Sequence, residues 1–335
     1  MPPEFRNKVE GTSRILGTGR YVPEKVLTNE DLERMIDTSD EWITSRTGMK
    51  KRHVAAADEA TSDLASNALR KAAESASMDL KDLDAIIVGT ATPDMVFPSA
   101  ACMVQKNLDL GGIPAFDVSA ACSGFVYASV LAHSLITSGL FETVGVIGAE
   151  TLTRITNYED RTTCVLFGDG AGAAIFGPGD GQSGVLSTYL GADGNLSHLL
   201  NQPAGGSRLP ATVETVKAKL HNIHMEGAEV FKSAVRAMES SAVKALELAG
   251  LTGDDIDLLI PHQANIRIIR ATGSRLNIPE EKVYINVQEY GNTSAASVPI
   301  ALDEAIETGR IAEGDTVMLV AFGGGFTWGS LVIKL

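Results

Sequence analysis

The chain has 335 residues, 44% of them hydrophobic, with 33 glycines and 12 prolines. This composition excludes a disordered or low-complexity protein, and the length fits two domains of about 150 residues each. A formal net charge of −14 argues against a nucleic-acid partner, because a polyphosphate backbone is bound through broad basic surfaces.

No membrane or secretion signal is evident in the sequence. No apolar run has the length needed to span a bilayer, and the opening MPPEFRNKVEG lacks the apolar stretch of a signal peptide. The three cysteines form no CxxC pair and are odd in number, which suits a reducing compartment. We therefore expect a cytoplasmic protein in which at least one thiol is free, although all three could be small core residues.

Two stretches of the chain match each other at an offset of about 170 residues, as expected of an internal repeat. The first begins at Arg70 and reads RKAAESASMDLKDLDAIIVGTAT. The second begins at Val243 and reads VKALELAGLTGDDIDLLIPHQAN. In each, a helical segment is followed by a tight turn, an acidic pair and a short apolar run that predicts a buried strand.

The match continues beyond these stretches. The segments KNLDLGGIPAFDVSAACSGFV and SRLNIPEEKVYINVQEYGNTSAASV each lead into a helix, which ends at Ser138-Gly139 or Thr308-Gly309, and a further strand follows. The repeat predicts an α/β fold of five layers, α-β-α-β-α, with two halves related by a pseudo-twofold axis. Residues 151–230 fit the repeat less clearly, and we expect them to be strands and loops that elaborate the halves.

Cys122 lies between a predicted strand, PAFDV, and an apolar helix expected to be buried. A thiol at a helix N-terminus is near the positive end of the helix dipole, so we expect the thiolate to be favoured. The small neighbours also let a thioester carbonyl approach the backbone N–H of Cys122. Cys102, in an apolar helical pattern, and Cys164, in the strand-like CVLFG, are expected to be core residues.

The second copy of this turn is YGNTSAAS, which carries Asn292. Corresponding turns of pseudo-symmetric halves approach each other near the axis, so Asn292 is a candidate neighbour of Cys122. His262 follows the apolar strand DLLI at its C-terminal end, where open α/β sheets place their sites. A thiol with His and Asn fits two chemistries, which are acyl transfer to water by a cysteine hydrolase and condensation through an enolate.

Two glycine-rich stretches and one histidine pair are further candidates for binding sites. FGDGAGAAIFG lacks the spacing of a dinucleotide-binding loop. FGGGFTWG follows a strand and offers bare backbone N–H groups, so Gly324 is a candidate second oxyanion donor. HNIHM has no further ligands near it in the sequence, so we expect no metal site.

From about Ser13 to Leu335 the sequence resembles the type III β-ketoacyl-acyl carrier protein synthases, which are thiolase-fold enzymes that start type II fatty acid synthesis. Seven motifs carry the resemblance in order: NEDLERMIDTSDEWITSRTG, FPSAAC, DVSAACSGF, FGDGAGA, PHQAN, YGNTSAAS and AFGGGFTWG. The resemblance implies a thiolase-like N-terminal half, residues 1–185, with the nucleophile, and a C-terminal half, residues 186–335, with His262 and Asn292. It also implies a homodimer and no cofactor.

The resemblance implies a role for each matching residue. Cys122 would take an acyl group from acyl-coenzyme A, and His262 and Asn292 would stabilise the enolate formed when malonyl-acyl carrier protein loses carbon dioxide. The N–H groups of Cys122 and Gly324 would form the oxyanion hole. The implied coenzyme A site consists of Thr38, Trp42, Arg46, Arg161, Gly227, Phe231 and Asn265. The implied acyl pocket is lined by Phe97 and Phe322. The implied carrier-protein docking surface is formed by Lys232, Arg267 and Arg270.

Several alternatives for the function, the primer and the docking surface remain open from the sequence alone. Quinolone-forming relatives carry the same three catalytic residues, and a cysteine acyl hydrolase or a non-catalytic binding module would lie outside the condensing class. Phe97 matches a position that, in the family, reaches across the dimer interface to limit the length of the acyl pocket. This one residue does not decide which acyl-coenzyme A is the primer. Family members often carry a lysine where this chain has Ser274, which bears on carrier-protein docking.

Overall fold

The computed structural model describes residues 12–335, so the opening segment MPPEFRNKVEG lies outside the described residues. The strands are β1 Ser13–Tyr21, β2 Lys25–Thr28, β3 Lys51–Val54, β4 Ala85–Gly89, β5 Ala115–Val118, β6 Val144–Thr151, β7 Asp169–Pro178, β8 Gly184–Ala192, β9 Leu200–Asn201, β10 His224–Met225, β11 Leu258–Pro261, β12 Thr316–Gly323 and β13 Thr327–Lys334. The helices are α1 Asn29–Glu33, α2 Asp40–Thr47, α3 Thr61–Ser75, α4 Ala100–Asn107, α5 Gly124–Thr137, α6 Arg161–Cys164, α7 Val213–Lys217, α8 Gly227–Ala249, α9 Ile266–Arg275, α10 Val287–Tyr290 and α11 Ser297–Glu307.

Two large sheets share one strand pattern. The first has the order β1-β7-β6-β4-β5, with β6, β4 and β5 parallel and the other neighbours antiparallel. The second has the order β8-β13-β12-β11, with β12 and β11 parallel. The fifth position of the second sheet is a single parallel bridge between Leu259 and Val283. The predicted duplication is confirmed, with β1, β7, β6 and β4 matching β8, β13, β12 and β11.

Three apolar clusters lie between five layers. Helices α3 and α4 cover the outer face of the first sheet, and α8 and α9 cover the outer face of the second. Helices α5 and α11 lie between the sheets, in a cluster that includes Phe125, Phe176 and Leu331. The predicted α-β-α-β-α arrangement is therefore confirmed, and the two central helices carry the turns that the sequence singled out.

The ends of the central helices follow the predicted signals. Helix α5 ends at Thr137, and Gly139 then adopts φ +75°; α11 ends at Glu307, and Gly309 adopts φ +69°. Glycine is favoured just after a helix because it enters this left-handed region without a Cβ penalty. Matching stop signals in both halves are direct local consequences of the repeat.

The expectation for residues 151–230 is wrong in part. Strands β7 and β8 are integral to the two sheets rather than elaborations of them. The sequence of β7, DGAGAAIFGP, is rich in glycine and alanine, and all but its last residue are buried because helices pack closely on both faces. Cys164, expected in a strand, ends the short helix α6 instead. The division at residue 185 stays a prediction, and β8 already begins at Gly184.

Each central helix is preceded by a tight turn that contacts a strand of the opposite half. Ala121 and Ser294 occupy matching places in these turns, with φ of +45° and +50°, where residues other than glycine are uncommon. A Cβ placed on Gly323 of β12 would lie 2.5 Å from the backbone N of Cys122. A Cβ on Gly148 of β6 would lie 2.1 Å from the carbonyl oxygen of Ala295. The two halves thus meet backbone to backbone at these glycines.

We expect Gly148→Ala to lower the free energy of unfolding by about 3 kcal/mol, because the added methyl group meets backbone rather than a movable side chain. Thermal and urea unfolding midpoints measure this loss. Gly111→Ala is the matched control, since its Cβ has no atom within 4 Å, and we expect a change within about 0.5 kcal/mol. Equal stability of the two variants would contradict the close approach of the halves.

Candidate active site

Three predicted residues from separate parts of the chain line one cavity of about 870 Å³. Cys122 lies in the turn before α5, His262 follows the last residue of β11, and Asn292 lies just before the turn that leads into α11. Their placement follows from the duplicated fold, because the cavity lies where a turn of one half meets a strand end of the other. The sequence repeat alone predicted this proximity of Asn292 and Cys122.

His262 is buried and held from one side. Its Nδ1 lies 2.6 Å from Oγ of Ser297, and that oxygen also accepts a hydrogen bond from the backbone N–H of Gln263. The Ser297 hydroxyl can then donate its own proton to Nδ1, which would leave the hydrogen on Nε2. Burial lowers the pKa of His262 to about 3, so the ring is neutral at physiological pH.

Asn292 is oriented by its own turn. Its Oδ1 accepts a hydrogen bond of 2.9 Å from the backbone N–H of Ser294. Its backbone N–H donates to the carbonyl of Leu166, and its carbonyl accepts from Gly168, which ties the turn to the first half. Because the amide oxygen is engaged, the NH₂ group is the end available to a ligand. His262 and Asn292 can therefore both act as hydrogen-bond donors in the cavity.

The thiol of Cys122 does not behave as the sequence predicted. Burial raises its pKa, the Ser294 side chain opposes this rise and charge repulsion from Glu150 adds to it, and the resulting pKa is about 12. The expected preference for the thiolate is wrong because withdrawal from water outweighs the helix terminus. A thiol with this pKa needs a group that accepts its proton when it attacks a substrate.

The end of β12 and the loop after it form one wall of the cavity. Phe322 and Gly324 line it, and the ring of Phe322 packs on Phe326 with centroids 4.7 Å apart. Gly323 lies between them, directly against the backbone N of Cys122. The run FGGGFTWG predicted a role for Gly324 but not for Gly323, whose role depends on close packing that a sequence does not display.

Three further polar residues, one lining the cavity and two behind it, were not predicted from the sequence. Glu150 is wholly buried in β6, and Ser294 connects it to the cavity, since its Oγ donates a 2.9 Å hydrogen bond to Oε1 of Glu150. An available signal was Glu150 at the end of the apolar run VGVIGAE, where a charged residue is unusual. Ser297, the partner of His262, had no signal beyond its place in a serine-containing turn.

The cavity leads from buried residues to exposed cations. Four of the seven predicted coenzyme A residues line it, namely Arg46, Gly227, Phe231 and Asn265. Asn265 caps α9, since its Oδ1 accepts hydrogen bonds from the N–H groups of Arg267 and Ile268. Its NH₂ group is therefore the end free to meet a ligand.

The other three predicted coenzyme A residues lie beside the opening. The guanidinium carbons of Arg46 and Arg161 lie 5.0 Å and 4.8 Å from the ring centroid of Trp42. A base stacked between Trp42 and Arg161 needs about 7 Å, two contact distances of about 3.5 Å, so Arg161 has to move to admit one. Thr38 is half-buried, and within residues 12–335 its buried Oγ1 has no hydrogen-bond partner.

The three predicted docking cations differ in their surroundings. Lys232 pairs with Glu229 and Arg270 pairs with Glu280, each at 2.8 Å. Arg267 instead lies over the ring of Phe231, with its guanidinium carbon 5.3 Å from the centroid. Lys232 and Arg267 line the cavity mouth, whereas Arg270 does not. Two of the three charges are thus already balanced by neighbouring carboxylates.

Phe97 does not line the cavity of this chain. Its side chain is 82% exposed, next to Val96 at 88%, so its predicted contribution to an acyl pocket requires a second subunit and stays a prediction. Among residues 12–335, no group of three or more His, Cys, Asp or Glu side chains is placed to hold a metal ion. Over the same residues, no helix is long and apolar enough to cross a membrane.

The fold and the convergence of these side chains define a thiolase-fold condensing enzyme. The C-terminal model of 3-oxoacyl-[acyl-carrier-protein] synthase III matches residues 246–335, and the model described as 3-oxoacyl-[acyl-carrier-protein] synthase III matches residues 116–194. The chain belongs to this family. Its sequence is 58% identical over 320 residues, 96% of this chain and 97% of the relative, to the β-ketoacyl-[acyl-carrier-protein] synthase III of Caldanaerobacter subterraneus subsp. tengcongensis.

Two further comparisons agree with this assignment. The β-ketoacyl-[acyl-carrier-protein] synthase III of Clostridioides difficile is 54% identical over 96% of this chain and 97% of that protein. The crystal structure of 3-oxoacyl-[acyl-carrier-protein] synthase III from Aquifex aeolicus VF5 superimposes with a TM-score of 0.89 at 48% identity. It covers 96% of this chain and 100% of that chain, so the predicted fold and family are confirmed.

We expect alkylation of Cys122 by iodoacetamide to accelerate about tenfold per pH unit between about pH 9 and 11, because the free thiolate is the form that reacts there and its pKa is about 12. Intact-protein mass spectrometry follows the reaction. Cys122→Ser serves as the control for background alkylation of Cys102 and Cys164. A rate that stays level from about pH 8 to pH 11 would show instead that the helix terminus favours the thiolate.

Proposed function

We propose that this protein joins a short acyl group from acyl-coenzyme A to malonyl-acyl carrier protein, releasing carbon dioxide and coenzyme A and giving 3-oxoacyl-acyl carrier protein. This reaction initiates fatty acid synthesis. The observation that carries the proposal is the meeting of Cys122, His262 and Asn292 in one cavity of a chain that belongs to this family. The three residues then have separate tasks in two half-reactions.

In the first half-reaction, the sulfur of Cys122 attacks the thioester carbon of the primer. The backbone N–H groups of Cys122 and Gly324 are the proposed donors to the developing oxyanion. Such preorganised donors are worth about 3 kcal/mol each in enzymes of this kind. The contact of Gly323 with the backbone N of Cys122 supports this assignment, because it keeps the two strand and turn segments together.

In the second half-reaction, the malonyl thioester carbonyl accepts hydrogen bonds from Nε2 of His262 and the NH₂ group of Asn292. A neutral histidine with its hydrogen on Nε2 suits this role, because it donates to an enolate oxygen without carrying a charge into a buried site. Phe322 offers the malonyl carboxylate an apolar neighbour. Loss of carbon dioxide relieves the cost of burying that charge.

The proposed path for the pantetheine arm runs along the cavity past Gly227, Phe231 and Asn265 to the exposed opening. The adenine of coenzyme A would stack on Trp42, with Arg161 swinging outward and Arg46 and Thr38 nearby. The unpaired hydroxyl of Thr38 supports a polar ligand contact there. No cofactor is needed, since both thioesters are substrates.

The proposed macromolecular partners are an acyl carrier protein and a second copy of this chain. Arg267, together with Lys232 and Arg270, would meet the acidic carrier protein at the cavity mouth. The exposed Val96 and Phe97 support a homodimer in which Phe97 reaches the partner's acyl pocket. A cytoplasmic location is part of the same proposal. The competing functions are quinolone-type condensation and acyl hydrolysis.

The test of the function is product formation from malonyl-acyl carrier protein with a panel of acyl-coenzyme A primers. We expect wild type to release 3-oxoacyl-acyl carrier protein and Cys122→Ala to lose this activity at least ten-thousandfold, because no other residue can carry the acyl group. Mass spectrometry of the carrier protein identifies the product. Free acid formed without malonyl substrate would support a hydrolase, and an aromatic product would support a specialised relative.

A second experiment compares two neighbouring docking arginines. We expect Arg267→Ala to raise KM for malonyl-acyl carrier protein about fivefold, about 1 kcal/mol, because its charge has no carboxylate partner among the described residues 12–335. Arg270→Ala is the matched control, since Glu280 already balances its charge, and its KM should change less than twofold. Steady-state kinetics at low salt measures both, and the reverse order would overturn this assignment.

A further inference from the structure

Glu150 is a buried carboxylate beside the reacting thiol that the two half-reactions above do not use. It is 0% exposed at the end of β6, and no ion pair within residues 12–335 includes it. Isolated buried carboxylates are costly, so each is retained for a structural or a functional reason. Its surroundings indicate what that function is.

The groups around Glu150 hold it as a hydrogen-bond acceptor. Thr92 donates from Oγ1 at 2.6 Å, Thr90 from Oγ1 at 3.3 Å, and the backbone N–H of Ala91 at 3.1 Å to both oxygens. The backbone N–H of Ala295 also donates. Donors on every side fit the ionised carboxylate, while burial raises the pKa of Glu150 to about 7. The group can therefore accept a proton near neutral pH.

Ser294 connects this carboxylate to the nucleophile. Its Oγ donates to Oε1 of Glu150 at 2.9 Å, and Ser294 and Cys122 line the same cavity, where the Ser294 side chain lowers the pKa of the thiol. Ser294 adopts φ +50°, a conformation that is uncommon for residues other than glycine and is typical of functional sites. The hydroxyl is thus bonded to the carboxylate and shares the cavity with the thiol.

We propose that Ser294 and Glu150 form a relay that accepts the thiol proton of Cys122 during acyl transfer, a role that rests on the proposed function. As the Cys122 S–C bond forms, the S–H proton passes to Oγ of Ser294, and the Ser294 proton passes to Oε1 of Glu150. Collapse of the intermediate breaks the C–S bond to coenzyme A. The proton returns through Ser294 to the departing thiolate, so atoms and charge balance without another reactant.

The relay assigns Ser294 as a catalytic residue and Glu150 as a positioning residue that acts through it. His262 and Asn292 remain dedicated to the malonyl carbonyl. The titratable group that faces Glu150 is Cys122; its other contacts are the Thr90 and Thr92 hydroxyls, the Ser294 hydroxyl and backbone N–H groups. The relay therefore affects the acylation half-reaction and leaves decarboxylation unchanged.

The test measures acylation alone, by rapid quenching and intact-protein mass spectrometry with acyl-coenzyme A and no malonyl substrate. We expect Glu150→Gln and Ser294→Ala each to slow acylation at least tenfold, and the double variant to be no slower than the slower single one. Carbon dioxide release from malonyl-acyl carrier protein by Glu150→Gln should stay within threefold of wild type. Acylation of Glu150→Gln at the wild-type rate, or additive losses, would overturn the relay.

Asp169→Asn is the matched control. Asp169 is also a wholly buried carboxylate, accepting from the N–H groups of Ala55 and Thr153, but among residues 12–335 none of its hydrogen-bond partners lines the cavity, whereas Ser294, a partner of Glu150, does. We expect it to lower the unfolding midpoint as Glu150→Gln does, with acylation within threefold of wild type. An equal loss of acylation in Asp169→Asn would show that Glu150 acts only through stability and would overturn the relay.

Alkylation by iodoacetamide separates the relay from a simple charge effect and needs no substrate. With the relay, Glu150→Gln reacts more slowly than wild type at about pH 7, where Glu150 assists, and at least as fast at about pH 10, where hydroxide removes the proton. Faster alkylation at both pH values would mean that Glu150 only repels the thiolate, which overturns the relay. If no acyl-coenzyme A acylates the wild-type protein, the proposed function is refuted. The alkylation rates of wild type and Glu150→Gln would still decide between the relay and a charge effect.

Discussion

The close approach of each tight turn to a strand of the opposite half is the constraint on which the rest of the structure depends. Gly323 of the second half lies against the backbone of Cys122, and Gly148 of the first half lies against the carbonyl of Ala295. Any side chain at these two glycines would separate the halves. Because the nucleophile comes from one half and His262 and Asn292 come from the other, the cavity exists only while these contacts hold.

The same contacts remove water from the site and so determine its acid–base chemistry. Burial leaves His262 neutral and raises the pKa of Cys122. A neutral donor suits a carbonyl that becomes an enolate, whereas a thiol with a raised pKa is a poor nucleophile until its proton is accepted. One environment thus favours the second half-reaction and hinders the first. The buried Glu150 offsets that hindrance, with Ser294 as the connection.

The sequence predicted the layers, the duplication and the meeting of Cys122, His262 and Asn292, because an internal repeat records which turns are equivalent. It could not predict the pKa of Cys122, the partner of His262 or the glycine contact at Gly323, since each depends on packing between residues far apart in the chain. The pairing of Arg270 with Glu280 was likewise invisible because the two residues lie on different elements, whereas the pairing of Lys232 with Glu229 on one helix could have been predicted from their spacing. The glycine-rich β7 was underestimated because its burial comes from helix contacts rather than from large apolar side chains.

Strand register shows how the duplicated site diverged. In β4 and β6 Ala85 pairs with Val144, as Leu258 pairs with Val317 in β11 and β12. Counting along the strands from these pairs makes His262 equivalent to Gly89 and Gly323 equivalent to Glu150. The second half therefore places a glycine against the turn of Cys122, while the first half places a glutamate against the turn of Ser294. One copy became an open reaction cavity and the other a sealed polar network. Because Ser294 belongs to both, the sealed copy remains connected to the cavity that holds the reacting sulfur, which a network retained only for packing would not require.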